Sequence, residues 1–200
     1  QIAQKKFVAD WERLARRYDT NSVIWGYDLA NEPVEAEVAE GCEDWQALAT
    51  RAARAVRAVD ARHAIIVEPT PWGGPEALEN LEPIPVSGVV YSVHFYVPHK
   101  FTHQGVYGRA PGLVYPGLID GKLWDAAALR QALQPVRDWQ RDHGVQIYLG
   151  EFSAIRWAPG AAGASDRTCR RCAAPAAARP GRCGSPATRR AGSSAGGTRR

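Results

Sequence analysis

No methionine occurs in these 200 residues, and the chain opens at QIAQKKFVADWERL, inside a helical pattern with no signal-peptide apolar run. That points to a chain beginning partway through a larger gene product. No unbroken apolar run exceeds a few residues, against the roughly 18 that a membrane-spanning helix needs. No membrane partner is therefore expected. Cysteine is nearly absent before residue 161, where Cys42 stands alone, which excludes a disulfide scaffold for that part. No G-x-G-x-x-G follows any strand-like run, which leaves a dinucleotide fold of the usual kind unsupported. Residues 161–200 lack Leu, Ile, Val, Phe, Tyr and Trp altogether. With nothing to bury, such a stretch is expected to be disordered.

Charge divides at the same place. Residues 1–160 hold 16 Lys+Arg against 20 Asp+Glu, and residues 161–200 hold nine Arg against one Asp. The overall +4 therefore describes the basic end of the chain and says little about the partners of the rest. That end has no interleaved aromatics, so no nucleic-acid partner is expected from it. Cys169-Arg-Arg-Cys172 with Cys183 lacks a fourth ligand of the right kind, so no metal is expected there. The abrupt change to Ala, Arg, Gly, Pro and Cys near residue 160 reads as GC-rich DNA translated out of frame. The expected domains are 1–160, folded, and 161–200, a disordered basic tail.

What is present before residue 160 is an alternation of helical and extended patterns. Phe7, Val8, Trp11, Leu14, Ala15 and Tyr18 stripe one helix, and Trp45, Leu48, Ala49, Ala52, Val56 and Val59 stripe another. Trp124 through Trp139 repeats the spacing a third time, and a short helical turn is expected near 75–81. Between them lie dense apolar runs: SVIWGYDLAN (22–31), AIIV (64–67), VVYSVHFY (89–96) and QIYLGEF (146–152). A loop of about 28 residues follows the third run, a length that is usually functional. Strands apolar on both faces, alternating with helices, predict an α/β fold with a parallel sheet. An open doubly wound sheet and an arc of a (β/α)₈ barrel both satisfy that pattern.

The polar residues cluster where each strand ends: Asn31-Glu32, Glu68, His94 with Tyr96, and Glu151. In a parallel barrel all C-terminal strand ends open onto the face that holds the active site. Two carboxylates there suit glycoside hydrolysis, one protonating the leaving oxygen and the other attacking the anomeric carbon. Trp72, Tyr96, Phe101, Tyr107 and Trp157 lie near enough in sequence to offer flat faces to sugar rings. For Trp72 and Trp157, on loops after strand ends, ordinary packing is an equal alternative. Glu68 is read as structural, Asp28 as paired inside the sheet, and His99 and His103 as part of the long loop or its substrate contacts.

The segments WGYDLANEP, VVYSVHFYVP and IYLGEFS resemble glycoside hydrolase family 5, the retaining cellulase family. The resemblance covers about residues 3–158. It implies an incomplete (β/α)₈ TIM barrel running from the third helix to the seventh strand, about strands 4–7. It implies Glu32 as general acid/base with a raised pKa, Asn31 as the contact to the sugar 2-hydroxyl, and Glu151 as nucleophile. His94 and Tyr96 are implied to orient the carboxylates, without cofactor or metal. The implied activity is retaining hydrolysis of β-1,4-glucosidic bonds in a β-glucan. β-Mannanase or other β-glucanase activity, and a non-catalytic carbohydrate-binding remnant, stand as alternatives. The family further implies a monomer when complete and a secreted or periplasmic location, because polymeric glucan does not enter cells. With four of eight strands, residues 1–200 alone are expected to be insoluble or molten and inactive.

Overall fold

Four parallel strands carry the fold in the computed structural model, which describes residues 1–172. They are β1 (Gly26–Asp28), β2 (Ala64–Val67), β3 (Val89–Phe95) and β6 (Gln146–Phe152), in the spatial order β1-β2-β3-β6. Each neighbouring pair is parallel, so each must be joined by a crossover. Helix α1 (Ile2–Tyr18) precedes β1, and α2 (Trp45–Val59) joins β1 to β2. Asp44 caps α2 by accepting the Ala47 N–H at 2.7 Å, a contact that satisfies one orphan donor of the first turn. Ala49, Ala52, Ala53 and Val56 on its inner face are fully buried. Their small side chains let the helix lie close against Tyr27, Ile65 and Val67.

Strand alternation divides the sheet into two faces. Tyr27, Ile65, Val67, Tyr91, Val93 and Phe95 turn toward the helices and form the core. Asp28, Ile66 and Val90 occupy one register line and turn the opposite way, with Glu68, Ser92 and His94 further along that face. The two outer strands meet across it, the rings of Trp25 and Tyr148 lying 5.3 Å apart.

Several expectations are revised. The strand expected over 22–31 narrows to Gly26–Asp28. The Asn21 side chain accepts the Val23 N–H and its carbonyl accepts from Ile24, so a turn takes up the first residues of the run. The helix expected over 124–139 is two, α4 (Ala126–Ala132) and α5 (Gln134–His143), because Pro135 sits where only the first turn of a new helix admits it. The 75–81 turn is a 3₁₀ helix, Pro75–Asn80. The long loop contains a short helix, α3 (His99–Thr102), and an antiparallel hairpin, β4 (Gly117–Ile119) with β5 (Lys122–Trp124). Asp120 and Gly121, both at positive φ, make its two-residue turn.

The disordered stretch expected from residue 161 does not start there. Ala161–Cys172 is helix α6, packed on α4 and β6 with Ala161, Ala164 and Thr168 buried. Alanines spaced three apart supply a close-packing face without any large apolar residue, and alanine is the best helix former. Residues 173–200, the remainder of the stretch read as an out-of-frame tail, lie outside the described residues. Among the described residues, no helix is long and apolar enough to cross a membrane.

Candidate functional site

The C-terminal strand ends open onto one cleft because the strands are parallel, and a single irregularity in β6 brings Glu151 into it. Val93 pairs with Leu149, but His94 pairs with Glu151, so Gly150 is an extra residue on β6. Strict alternation would face Glu151 with Ile147 and Leu149, toward the helices. The bulge resets the alternation and turns Glu151 to the His94 side, the re-aiming of a side chain that bulges perform beside sites. Only glycine fits there, since a Cβ would lie 2.3 Å from Ser92 Oγ and 3.1 Å from His94 Nε2.

Glu32 is positioned by the neighbouring strand. Its backbone sits at φ 44, a left-handed conformation uncommon for a residue with a side chain. The Glu68 carboxylate holds it there, Oε2 accepting the Glu32 N–H at 2.7 Å. Glu68 is fully buried, and the Trp45 indole donates to its carbonyl at 2.8 Å. Trp72 and Gly73, next on the loop after β2, are also left-handed. Their backbones bind across the cleft floor, with the Trp72 N–H donating to the Pro33 carbonyl and the Gly73 carbonyl accepting from the His94 N–H.

His94 is the hub. Its Nδ1 lies 3.0 Å from Glu32 Oε1 and 3.6 Å from Glu151 Oε2, and its Nε2 lies 3.1 Å from Glu68 Oε1. Burial would lower its pKa, but the carboxylates of Glu68 and Glu32 against its two nitrogens outweigh burial and raise it to about 9. Near neutrality His94 is therefore held as an imidazolium between its two carboxyl partners, Glu32 and Glu68. Tyr96 donates its hydroxyl to Glu151 Oε2 at 2.8 Å. Burial, then that bond and the Glu151 charge, push its pKa to about 12, so it remains a donor. A carboxylate oxygen of Glu32, a ring nitrogen of His94 and a carboxylate oxygen of Glu151 all lie within 4.8 Å of one another.

These groups open into a cleft of about 750 Å³ that also reaches Trp72, Tyr107, His99 and His103. Of the residues singled out from sequence, Glu32, His94, Tyr96, Glu151 and Trp72 line it together. Asn31 is exposed beside it, and the Trp157 ring lies over Gly105. Phe101 is a correction: it is fully buried against Tyr115, Ile119 and Leu129 and offers no face to a ligand. Asp28 is exposed on edge strand β1. Its carboxyl is still partly desolvated by the surrounding strand-end groups, and that, then the Glu68 charge, raises its pKa to about 6. His99 and His103 stack at 4.1 Å, and burial, then the charges of His99 and Arg109, lower the pKa of His103. Glu68 proves to be the partner of both Glu32 and His94. Its place at the end of AIIV, beside the other strand-end polar groups, is the signal that could have found it.

The family model "Cellulase (glycosyl hydrolase family 5)" matches residues 1–170. Endoglucanase C of Acetivibrio thermocellus is 28% identical over 178 residues, covering 76% of this chain and 50% of its own length. Among solved structures, endoglucanase Cel5A of the hyperthermophile Thermotoga maritima superposes with a TM-score of 0.69 at 28% identity, over 84% of this chain and 53% of its own. Clostridial cellulose synthase subunit Z from Clostridioides difficile, at 23% identity and a TM-score of 0.70, shares the fold over 85% of this chain and 58% of its own. These neighbours are (β/α)₈ barrels. The chain spans about half the length of the relatives it matches. With its family model covering most of its length and the strand-end carboxylates gathered around His94, the chain belongs to glycosyl hydrolase family 5, the cellulases.

Proposed function

We propose that Glu32 and Glu151 carry out retaining hydrolysis of β-1,4-glucosidic bonds in a cellulose-like polysaccharide. The observation that carries this reading is their mutual distance across His94, with a carboxylate oxygen of each within 4.8 Å of the other. Retaining glycosidases hold their carboxyl groups about 5–5.5 Å apart, and inverting ones leave room for a water at about 6.5–9.5 Å. Glu32 donates its proton to the glycosidic oxygen as the C1–O bond breaks, while Glu151 forms a new bond to C1. Water then attacks C1 of the glycosyl-enzyme, Glu32 takes the water's proton, and the Glu151 carboxylate leaves. Tyr96 holds Glu151 Oε2, which leaves Oε1 to attack. Asn31 is assigned to the sugar 2-hydroxyl and Trp72 to a sugar face. Trp157 is assigned to the rim.

A second reading is favoured by the relatives. Solved structures of Thermotoga maritima Cel5A include complexes with cellobiose and with mannotriose, so β-mannan is the alternative substrate. The kcat/KM ratio on carboxymethylcellulose against mannan decides between them. As a hydrolase of polymeric glucan, the protein is assigned to act outside the cytoplasm.

Residues 1–200 alone are expected to be insoluble or molten, with no measurable activity on carboxymethylcellulose. Among the described residues β1 and β6 each pair on one side only, so this sheet flanks the cleft from one side. A soluble, cooperatively melting 200-residue chain that hydrolyses carboxymethylcellulose would contradict this. The chemistry is tested in a chain lengthened to close the barrel with the flanking strands of Endoglucanase C. There Glu32→Gln and Glu151→Gln each lower turnover by several orders of magnitude. Azide rescues Glu32→Ala to a β-azide and Glu151→Ala to the α-azide. Near-normal activity in both variants overturns the assignment.

A further inference from the structure

The wall of the cleft beyond Tyr96 carries a cation that the hydrolytic chemistry does not use. We propose that Arg109, seated over Tyr107, binds a carboxylate borne by the glycan, so that the preferred substrate is an acidic β-glucan. The proposal rests on the reading of the cleft as a β-glucan site and adds the charge of the substrate to it.

The loop that carries Arg109 is built to hold one shape. Gln104 is fully buried, and its amide closes the loop at both ends. Nε2 donates to the Phe101 and Leu113 carbonyls at 3.2 and 3.0 Å, and Oε1 accepts the Gly112 and Leu113 N–H groups, each at 2.8 Å. Inside that ring the Gly105 N–H donates to the Arg109 carbonyl at 3.0 Å, and the Arg109 N–H donates to the Val106 carbonyl at 3.1 Å. Tyr107 and Gly108, at φ 51 and φ 75, make the turn between them. A residue with a side chain keeps such a backbone only where its surroundings hold it. The turn brings the Arg109 guanidinium to 6.0 Å from the centre of the Tyr107 ring.

Arg109 and Tyr107 both line the cleft. The same wall continues through His103, whose ring meets Tyr96 edge-on at 5.1 Å and whose Nδ1 lies 2.9 Å from Thr102 Oγ1. Tyr96 in turn donates to Glu151, so the cation stands on the wall that leads away from that carboxylate. Arg109 is half-buried, and among the described residues no carboxylate pairs with its guanidinium. The central acids are already engaged, Glu32 by His94 and Glu151 by Tyr96. The Arg109 charge reaches across the wall, where it helps to lower the pKa of His103. A guanidinium presents a planar fork of donors that meets a carboxylate with two parallel bonds. Stacking on Tyr107 orients the fork and leaves its N–H groups for a ligand. A neutral glucan offers hydroxyls alone, whereas a glycan carboxylate matches both the charge and the fork.

The test uses the lengthened chain and three soluble celluloses of matched chain length and degree of substitution. They are neutral hydroxyethylcellulose, carboxymethylcellulose, and cellulose oxidised to the carboxylate at C6. In the parent protein kcat/KM on at least one acidic polymer exceeds that on the neutral one by about 10-fold, the size of one charge-assisted hydrogen bond. Which acidic polymer is preferred tells whether the carboxylate sits on a branch or on the sugar ring itself. Arg109→Gln brings the ratio close to one, and so does about 1 M salt, where the screening length falls to about 3 Å. Calorimetric binding of fragments of the same polymers to Glu151→Gln shows the same ratio, and the Glu151→Gln, Arg109→Gln double variant loses it. Equal kcat/KM on all three polymers, an acidic preference that survives Arg109→Gln, or equal losses on neutral and acidic polymers in that variant overturns the proposal. Because binding is read without turnover, failure of azide rescue leaves the preference standing, and absence of the preference leaves the azide result standing.

Discussion

Replacing Glu68 by Gln tests whether a carboxylate outside the cleft sets the charge inside it. The carboxylate serves two neighbours, with Oε2 accepting the Glu32 N–H at 2.7 Å and Oε1 lying 3.1 Å from His94 Nε2. Glutamine has one oxygen, so either orientation turns an NH₂ group toward one of those donors. The negative charge is lost in both cases. The folded pKa of His94, about 9 against an ordinary 6.5, then falls back toward the ordinary value, with Glu32 retaining part of the rise. A raised histidine pKa stabilises the fold fully below the unfolded value, and the contribution is lost as pH rises through the folded value. In the parent protein it is therefore complete below about pH 6.5 and absent above about pH 9. Each tenfold gain in proton affinity on folding is worth roughly 1.4 kcal/mol, which sets a ceiling of about 3 kcal/mol. In a chain lengthened to close the barrel, where the fold can be melted, that corresponds to a melting-temperature loss of a few degrees. The variant shows most of that loss near pH 6 and little near pH 10, where His94 is neutral in both proteins. Imidazole NMR follows the titration and calorimetry at the two pH values follows the stability. An unchanged His94 titration in Glu68→Gln, or a stability loss equal at both pH values, refutes the reasoning.

Gly73→Ala places a Cβ 2.9 Å from Glu68 Oε2 and 3.3 Å from His94 Cγ, at φ 63. The left-handed backbone alone costs about 1–2 kcal/mol. Gly108→Ala, at φ 75 with nothing within 4 Å, isolates that backbone cost. The excess destabilisation of Gly73→Ala in denaturant titration measures the crowding around His94, and equal losses would contradict it. Tyr96→Phe removes the donor to Glu151 Oε2, and a hydrogen bond to a charged group is worth about 1.5–3 kcal/mol. In the lengthened chain kcat falls about 10–100-fold with KM little changed, and a KM effect alone would make Tyr96 a binding residue.

The strand positions were legible because β2 and β6 are dense apolar runs with polar ends, and both match their expected bounds. That Glu32, His94, Tyr96 and Glu151 would share one cleft was legible for the same reason, since a parallel sheet delivers its C-terminal ends to one face. Three features were not. The bulge at Gly150 leaves no mark on the QIYLGEF run, because glycine there satisfies both a flat strand and an extra residue. The face of Glu151 therefore follows from pairing with β3 and not from alternation. The Asp120-Gly121 turn carries a hairpin signal, but its flanking strands are only three residues each and show no clear alternation. Helix α6 has no large apolar residue and is held by alanines against α4 and β6, so hydrophobic periodicity does not reveal it.

The central claim is that Glu151 becomes covalently bonded to the sugar during turnover. The most direct measurement uses the lengthened chain and a cellobioside carrying a good leaving group and fluorine in place of the sugar 2-hydroxyl, which slows release of the glycosyl-enzyme. After proteolysis, mass spectrometry should find one fluorocellobiosyl adduct, on Glu151 in the peptide containing IYLGEFS, and none in Glu151→Gln. An adduct on Glu32 or any other residue, or turnover of the parent substrate with inversion and no adduct, would contradict the account.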